Sequence, residues 1–446
     1  MKYLESLARS LPANIVGPGL ISLIIKVIGA VVTYVMIVAL ARLMSIEEYG
    51  RFAFGLNLSI IVAALGGLGF QTGILRYWPK FVATGDVAGA RGVVRLGFRY
   101  STTGGLIIIL VSVVGGLITW IITGQFRVFE FMTIAVLGLA ISLCDYCTSL
   151  LRAQGSTLGS MLPREVLWRT GTIVCCALLF LAGYAITGLL ALMVCAAVLL
   201  CLMLWQAGQI RSNIRLQLPP SEARGNFADF RSSLLPFWAT GIVIAMLQQF
   251  DVVVVGSLLG NAQAGSYFAA QKTASLLSLV QIAAGLVAAP SMSSLYHTGK
   301  IAELQRLCRN LAGGIATVTA IGVIMLALVG KFLLGLFDEK FVAAYPILMI
   351  VAMGSMIDGI AGPNAFLMQM TNYEKSYLKI TSICYALVLA AQFILVPRLG
   401  GVGAALASAG GVALWNIWGT FILRRQAGLD PSLLSLIWPP RAAAAQ

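Results

Sequence analysis

Gly188-Leu-Leu-Ala-Leu-Met-Val-Cys-Ala-Ala-Val-Leu-Leu-Cys-Leu-Met-Leu-Trp-Gln-Ala-Gly-Gln-Ile210 runs without one charged side chain. A bilayer core about 30 Å thick is crossed by ~20 apolar residues in a helix rising 1.5 Å per residue, so this stretch is long enough to span it. Runs of the same kind recur on both sides of it. Of 446 residues, 59% are hydrophobic and 10% charged, and the mean hydropathy is +0.93. A soluble chain carries about 25% charged residues to cover its surface. Soluble enzyme, disordered tail and secreted disulfide scaffold are therefore excluded. Lipid offers no partner to an open strand edge, so the spans must be helices. The expected class is an all-α, polytopic membrane protein.

The apolar runs and their charged or Gly/Pro interruptions predict twelve transmembrane helices, near 15–44, 53–78, 100–122, 131–151, 168–186, 188–210, 233–257, 265–290, 310–336, 341–370, 376–397 and 401–423. No short apolar region followed by a small-residue cleavage site opens the chain, so the first run reads as a retained membrane helix. The cations test the topology. With both termini cytoplasmic, 22 of the 30 Lys and Arg fall on the cytoplasmic side, from Lys2, Arg9 and Arg76 through Arg91, Arg164, Arg169, Arg211 and Arg215 to Arg424, Arg425 and Arg441. Six (Arg42, Arg51, Arg127, Lys331, Lys340, Arg398) fall outside, and Lys26 and Lys272 lie within helices. That asymmetry over short loops follows the positive-inside rule. It accounts for the net charge of +14 without a nucleic-acid partner, which would need the cations clustered on a soluble domain.

The chain also repeats itself. Leu43-Met-Ser-Ile-Glu-Glu-Tyr-Gly50-Arg-Phe52 aligns with Leu258-Leu-Gly-Asn-Ala-Gln-Ala-Gly265-Ser-Tyr267 at an offset of 215, and Thr84-Gly85-Asp86 with Thr298-Gly299-Lys300 at 214. Gln154 and Arg164 meet Gln369 and Lys379, again at 215. Six helices per repeat bring both halves into the membrane in the same direction, the parallel-repeat layout of transporters with a central cavity between lobes. The expected division is an N-lobe over 1–210, a cytoplasmic linker over 211–232, a C-lobe over 233–423 and a cytoplasmic tail over 424–446.

Ionisable groups inside apolar helices mark the candidate site, since each costs about 2.5–3.5 kcal/mol at a helix centre on the insertion scale and so tends to face a cavity or a partner. They are the cations Lys26 and Lys272, with Arg76 at the end of helix two, and the acids Asp145, Asp251 and Asp358. Ser22, Lys26, Gly29 and Thr33 share one helical face, as do Ser142 and Asp145 in helix four and Ser355, Asp358, Gly362 and Gln369 in helix ten, which Pro363 can bend. Gln271, Lys272 and Ser275 lie together in helix eight, and Gln248 one turn before Asp251. The competing reading makes these stripes helix–helix glue and interlobe salt bridges, with Arg76 a simple positive-inside anchor. The eight cysteines read as thiols, and a single histidine, His297, puts His-ligated metal chemistry out of reach. No HExxH, GxSxG or GxxxxGK[ST] sequence occurs, and Gly66-Gly67-Leu68-Gly69 lies inside a helix, where it reads as close packing or a flexible point.

These residues carry a resemblance. Leu43–Phe54 (LMSIEEYGRFAF), Leu75-Arg76-Tyr77 with Gly85-Asp86, and Asp251-Val-Val-Val-Val-Gly256 with Gly265-Ser-Tyr267 resemble segments of Wzx-type polysaccharide flippases, a branch of the multidrug/oligosaccharidyl-lipid/polysaccharide (MOP) exporter superfamily. The resemblance implies a V-shaped two-lobe transporter in the bacterial inner membrane, not an enzyme. Its cargo would be a polyprenyl-pyrophosphate-linked oligosaccharide, moved from the inner to the outer leaflet by alternating access for exopolysaccharide or O-antigen export. Lys26, Arg76 and Lys272 would hold the pyrophosphate, and an acid would couple H+ or Na+ movement to the cycle. No cofactor is expected; polysaccharide polymerase and export proteins are candidate partners. A cation-coupled multidrug antiporter shares the superfamily but would prefer uncompensated acids in its cavity. A major-facilitator carrier would be expected to carry a GxxxD(R/K)xGRR-like loop, which Thr84–Gly92 (TGDVAGARG) does not fit. A polymerase or acyltransferase is disfavoured by short outer loops.

Overall fold

The structure, a computed structural model, describes residues 13–124, 127–220, 222–225, 227–436 and 438. Lys2, Arg9 and Arg441, counted above among the cytoplasmic cations, lie outside the described residues. The chain packs as two compact units, Met1–Val253 and Val254–Gln446.

The first unit contains α1 (Ala13–Leu43), α2 (Ile46–Gly66), α3 (Phe70–Ala83), α4 (Val87–Thr123) and α5 (Val128–Ala153). Next comes one helical run made of α6 (Thr157–Leu162), a π turn (Pro163–Leu167) and α7 (Trp168–Leu181), and then α8 (Gly188–Gln217). Helix α9 (Phe227–Leu259) runs from the first unit into the second. The second unit continues with α10 (Asn261–Ala274), a 3-10 turn (Ser275–Leu277), α11 (Ser278–His297), α12 (Ile301–Gly335), α13 (Tyr345–Ala361), α14 (Asn364–Met370), α15 (Glu374–Leu399) and α16 (Gly401–Ile422).

Local sequence explains the starts. Ser45 caps α2 by accepting from the Glu48 N–H at 3.3 Å, and Glu47 and Glu48 fill the first turn, where carboxylates meet the positive end of the helix dipole. Asp86 does the same for α4, accepting from Gly89 N at 2.8 Å. The repeat is visible in the turns as well. Thr84, Gly85, Asp86 and Val87 donate to the carbonyls of Lys80, Val82, Phe81 and Gly85, and Thr298, Gly299, Lys300 and Ile301 donate to those of Ser294, Tyr296, Leu295 and Gly299. Every donor and acceptor in the second set lies 214 residues after its counterpart, and Gly85 (φ 68°) and Gly299 (φ 73°) take the same left-handed conformation.

Among the described residues, ten helices are long and apolar enough to cross a membrane, and α10 with α11 forms a bent pair that adds an eleventh. The remaining predicted helix, 168–186, falls in the helical run Thr157–Leu181, which is not among those eleven. The outward faces fit lipid: Ile107, Leu110, Val111, Val114 and Ile118 of α4 are exposed, as are Ile321, Ile324, Met325, Leu328 and Phe332 of α12. Such contiguous apolar rows would be anomalous in water.

Three predicted spans change form. Helix two, expected over 53–78, is two helices parted at Gly67–Gly69, where Leu68 (φ 46°) and Gly69 (φ 78°) are both left-handed. A Cβ on Gly69 would lie 2.4 Å from the Leu234 carbonyl oxygen, so the approach of α9 requires glycine there. Helix five, expected over 168–186, lies in a helical run that begins at Thr157 and ends at Leu181, which moves Arg164 from a loop into a helix. Helix ten breaks at Gly362 (φ 72°), so Gln369 on α14 leaves the stripe of Ser355 and Asp358.

Each unit has its own core. In the first, Phe70, Ile74, Tyr77 and Trp78 of α3 pack with Tyr146 and Leu150 of α5 and with Phe230 and Leu234 of α9. The second gathers Met292, Leu304, Cys308, Leu367, Met368, Ile380 and Leu423.

Candidate functional site

In the first unit the candidates of α1 lie on a half-buried face: Ser22, Lys26 and Thr33 are all partly exposed, and Thr33 Oγ1 donates back to Gly29 O at 2.6 Å. Helix α1 packs on α6, the π turn and α7. The contact is close because position 29 is glycine; a Cβ there would sit 2.9 Å from the Cβ and carbonyl oxygen of Glu165. Glu165 pairs with Arg169, Nη1 to Oε2 at 3.5 Å, and Arg169 stacks over the Trp168 ring at 5.0 Å. Next to Glu165, Arg164 donates through Nε to Asp145 of α5.

The π turn brings these groups together. Its extra residue per turn shifts Arg164, Glu165 and Arg169 relative to a regular helix, and π turns recur at functional positions. Arg164, Glu165 and Arg169 were not among the candidates read from sequence. The available signal was Pro163 ahead of an alternating charge pattern, inside what becomes a continuous helix. Asp145 therefore stands in an ion pair. Two acids and two arginines pair off, and among the described residues no ion pair takes up Lys26. Ser142, one turn before Asp145, is buried against Gly67, whose Cβ would lie 3.2 Å from its Oγ. Arg76 is exposed on α3.

Asp251 on α9 is 6% exposed, while Gln248 is exposed. In the second unit, Lys272 lies over the Phe268 ring at 5.3 Å and Gln271 is half-buried beside it. Ser275 spends its hydroxyl on Lys272 O at 2.8 Å, in the turn that breaks α10 from α11. Gln369 is exposed. The structure does not bring Gln369 to Asp358.

Asp358 is instead the centre of an amide-lined cluster. Asn416 Nδ2 donates to its Oδ1 at 2.6 Å. Asn364 Nδ2 donates to Asn416 O at 3.1 Å and to Thr420 Oγ1 at 3.3 Å, a close approach that Gly419 makes possible. The break at Gly362-Pro363 frees Asn364 to cap this cluster. Asn364 and Asn416 are buried, and sequence reading missed them because single asparagines in apolar helices carry no spacing signature. No ion pair among the described residues includes Asp358. A carboxylate held only by neutral donors can bind a proton or a small cation.

Residues 18–296 match the family described as polysaccharide biosynthesis protein. No curated protein sequence matches the chain. Solved structures match over most of its length. A multidrug resistance MATE family transporter of the MOP superfamily, in an inward-facing conformation, is 14% identical, with a TM-score of 0.72 over 89% of this chain and 94% of that one. The lipid II flippase MurJ is 12% identical, with a TM-score of 0.68 over 91% of this chain and 87% of that one. A Vibrio cholerae MATE transporter is 14% identical, with a TM-score of 0.64 over 96% of this chain and 99% of that one. At these identities the shared property is the fold.

Proposed function

Because the chain belongs to the polysaccharide biosynthesis protein family and has the fold of MOP-superfamily transporters, we propose that it is a flippase. Its cargo is a polyprenyl-pyrophosphate-linked oligosaccharide repeat unit, carried from the inner to the outer leaflet in the manner of Wzx-type proteins. A sugar headgroup cannot cross hydrocarbon unaided, since each unpaired hydroxyl would be desolvated. A polar path solves this while the lipid tail stays in the bilayer.

The observation that carries the reading is Lys26. In the first unit Asp145 pairs with Arg164 and Glu165 with Arg169, while among the described residues no ion pair takes up Lys26, half-buried on a face with Ser22 and Thr33. An ammonium there suits a pyrophosphate, to which it makes charge-assisted hydrogen bonds. Inside-negative potential adds about 2.3 kcal/mol per full charge per 100 mV to outward movement of an anion. Asp358, held by Asn416, is the proposed acid for H+ or Na+ coupling.

In proteoliposomes loaded with a pyrophosphate-linked oligosaccharide lipid, Lys26→Ala is expected to slow transfer at least about tenfold, the loss of one hydrogen bond to a charged group. Lys26→Arg keeps most of the rate. Wild-type transfer by Lys26→Ala would remove the anion-site assignment. The second reading, a cation-coupled drug antiporter, is favoured by the uncompensated acid at Asp358. Asp358-dependent efflux of a cationic dye without lipid transfer would select it.

A further inference from the structure

Apart from the groups assigned above, the first unit holds a cavity of about 400 Å³ between the N-terminal end of α4 and the C-terminal end of α8, lined among others by Arg91, Val94, Phe98, Ile210, Arg211 and Arg215. Spacing builds it: Arg91, Val94 and Phe98 share one face of α4, and Ile210, Arg211 and Arg215 one face of α8. Three arginines therefore line one cavity, and no acidic side chain lines it.

Two of these arginines, Arg211 and Arg215, are exposed and stand four residues apart on one helix, a like-charge spacing that is unfavourable in isolation. The third is fixed. Arg91 Nη2 donates to Pro219 O at 2.9 Å and to Leu218 O at 3.4 Å, just past the end of α8. Among the described residues no ion pair takes up any of the three.

The rest of the wall is apolar. Val94, Phe98 and Ile210 continue along helices that are themselves membrane-spanning by length and composition. Three arginines lining one cavity with an apolar wall match a phosphate with a hydrocarbon chain attached, rather than a free ion.

We propose that this cavity is a binding site for the headgroup of an anionic phospholipid. Its phosphate accepts from Arg91, Arg211 and Arg215, and its acyl chain lies along Val94, Phe98 and Ile210. Under the positive-inside topology expected from the loops, the lipid belongs to the cytoplasmic leaflet. The site is separate from Lys26 and independent of what the transporter carries.

The test is native mass spectrometry of the full-length protein released from nanodiscs of mixed phosphatidylglycerol and phosphatidylcholine. Wild type is expected to retain phosphatidylglycerol preferentially. The Arg211→Gln/Arg215→Gln double variant loses about 30-fold of that preference, at the usual contribution of one surface cation to anionic-lipid binding. Arg306→Gln, a cation of the second unit, leaves it unchanged. An unaltered melting temperature shows that the double variant is folded. Equal retention by wild type and the double variant overturns the proposal. Displacement of the lipid by inorganic phosphate alone at matched ionic strength also overturns it, in favour of a free-anion site.

Discussion

Arg424→Ala is expected to destabilise the second unit by ~2–4 kcal/mol, more than Asp430→Asn does, and the double variant is expected to recover part of the loss. The Asp430 side chain is fully buried and that of Arg424 is 31% exposed. Arg424 Nε donates to Asp430 Oδ2 at 2.6 Å, and the other carboxylate oxygen accepts from Ser432 N at 2.9 Å and Ser432 Oγ at 2.7 Å. Removing the arginine strands a carboxylate in a dry site, which costs several kcal/mol; the partial exposure of Arg424 reduces the expected loss below that of a fully buried pair. Asp430→Asn keeps much of the shape and frees the arginine to reach water. The rest of the segment is fastened independently: Gln305 brackets the peptide of residue 430, donating to Asp430 O at 2.6 Å and accepting from Asp430 N at 2.8 Å. Pro431 lies so close to the helix break that a Cβ on Gly362 would be 2.3 Å from its carbonyl oxygen. Thermal melts of the purified protein, run as a double-mutant cycle, measure the coupling. Strictly additive losses would contradict this account of the pair.

The second large effect is at Asp145 and Arg164. Breaking the pair from either side leaves one charge without its partner in a membrane helix, at about 2.5–3.5 kcal/mol on the insertion scale. Their side chains are 27% and 28% exposed, so the expected fall in stability is ~1–3 kcal/mol for Asp145→Asn or Arg164→Gln, with transport falling alongside it. The neutral double variant Asp145→Asn/Arg164→Gln is expected to regain both stability and transport, because the pair joins α5 to the π turn that packs on α1 while the proposed anion site is Lys26. A double variant that melts like wild type yet fails to transport would make the pair part of the transport machinery. Melting temperature and lipid-transfer rate on the same four proteins separate the two outcomes.

What could be read from the sequence divides along a physical line. Spans such as 188–210, and turns such as Thr84-Gly85-Asp86 with their copy at Thr298, are set by local composition and backbone chemistry, so they stand in the structure close to where they were expected. The breaks are set by distant neighbours. Leu68 and Gly69 take left-handed conformations where Leu234, more than 160 residues away, presses its carbonyl against Gly69. Arg164 is expected in a loop ahead of helix five, but it lies within a helical run, where it pairs with Asp145. The amide cluster beside Asp358 depends on Asn364 and Asn416 meeting from two helices, and no spacing within one helix announces such a meeting.

The central claim is that the chain carries lipid-linked sugar between leaflets. It is tested most directly by the leaflet distribution of lipid-linked oligosaccharide in cells lacking the protein. The account predicts accumulation on the cytoplasmic side, relieved by the wild-type chain and not by Lys26→Ala. A normal distribution in those cells, with efflux of cationic dyes impaired, would contradict it.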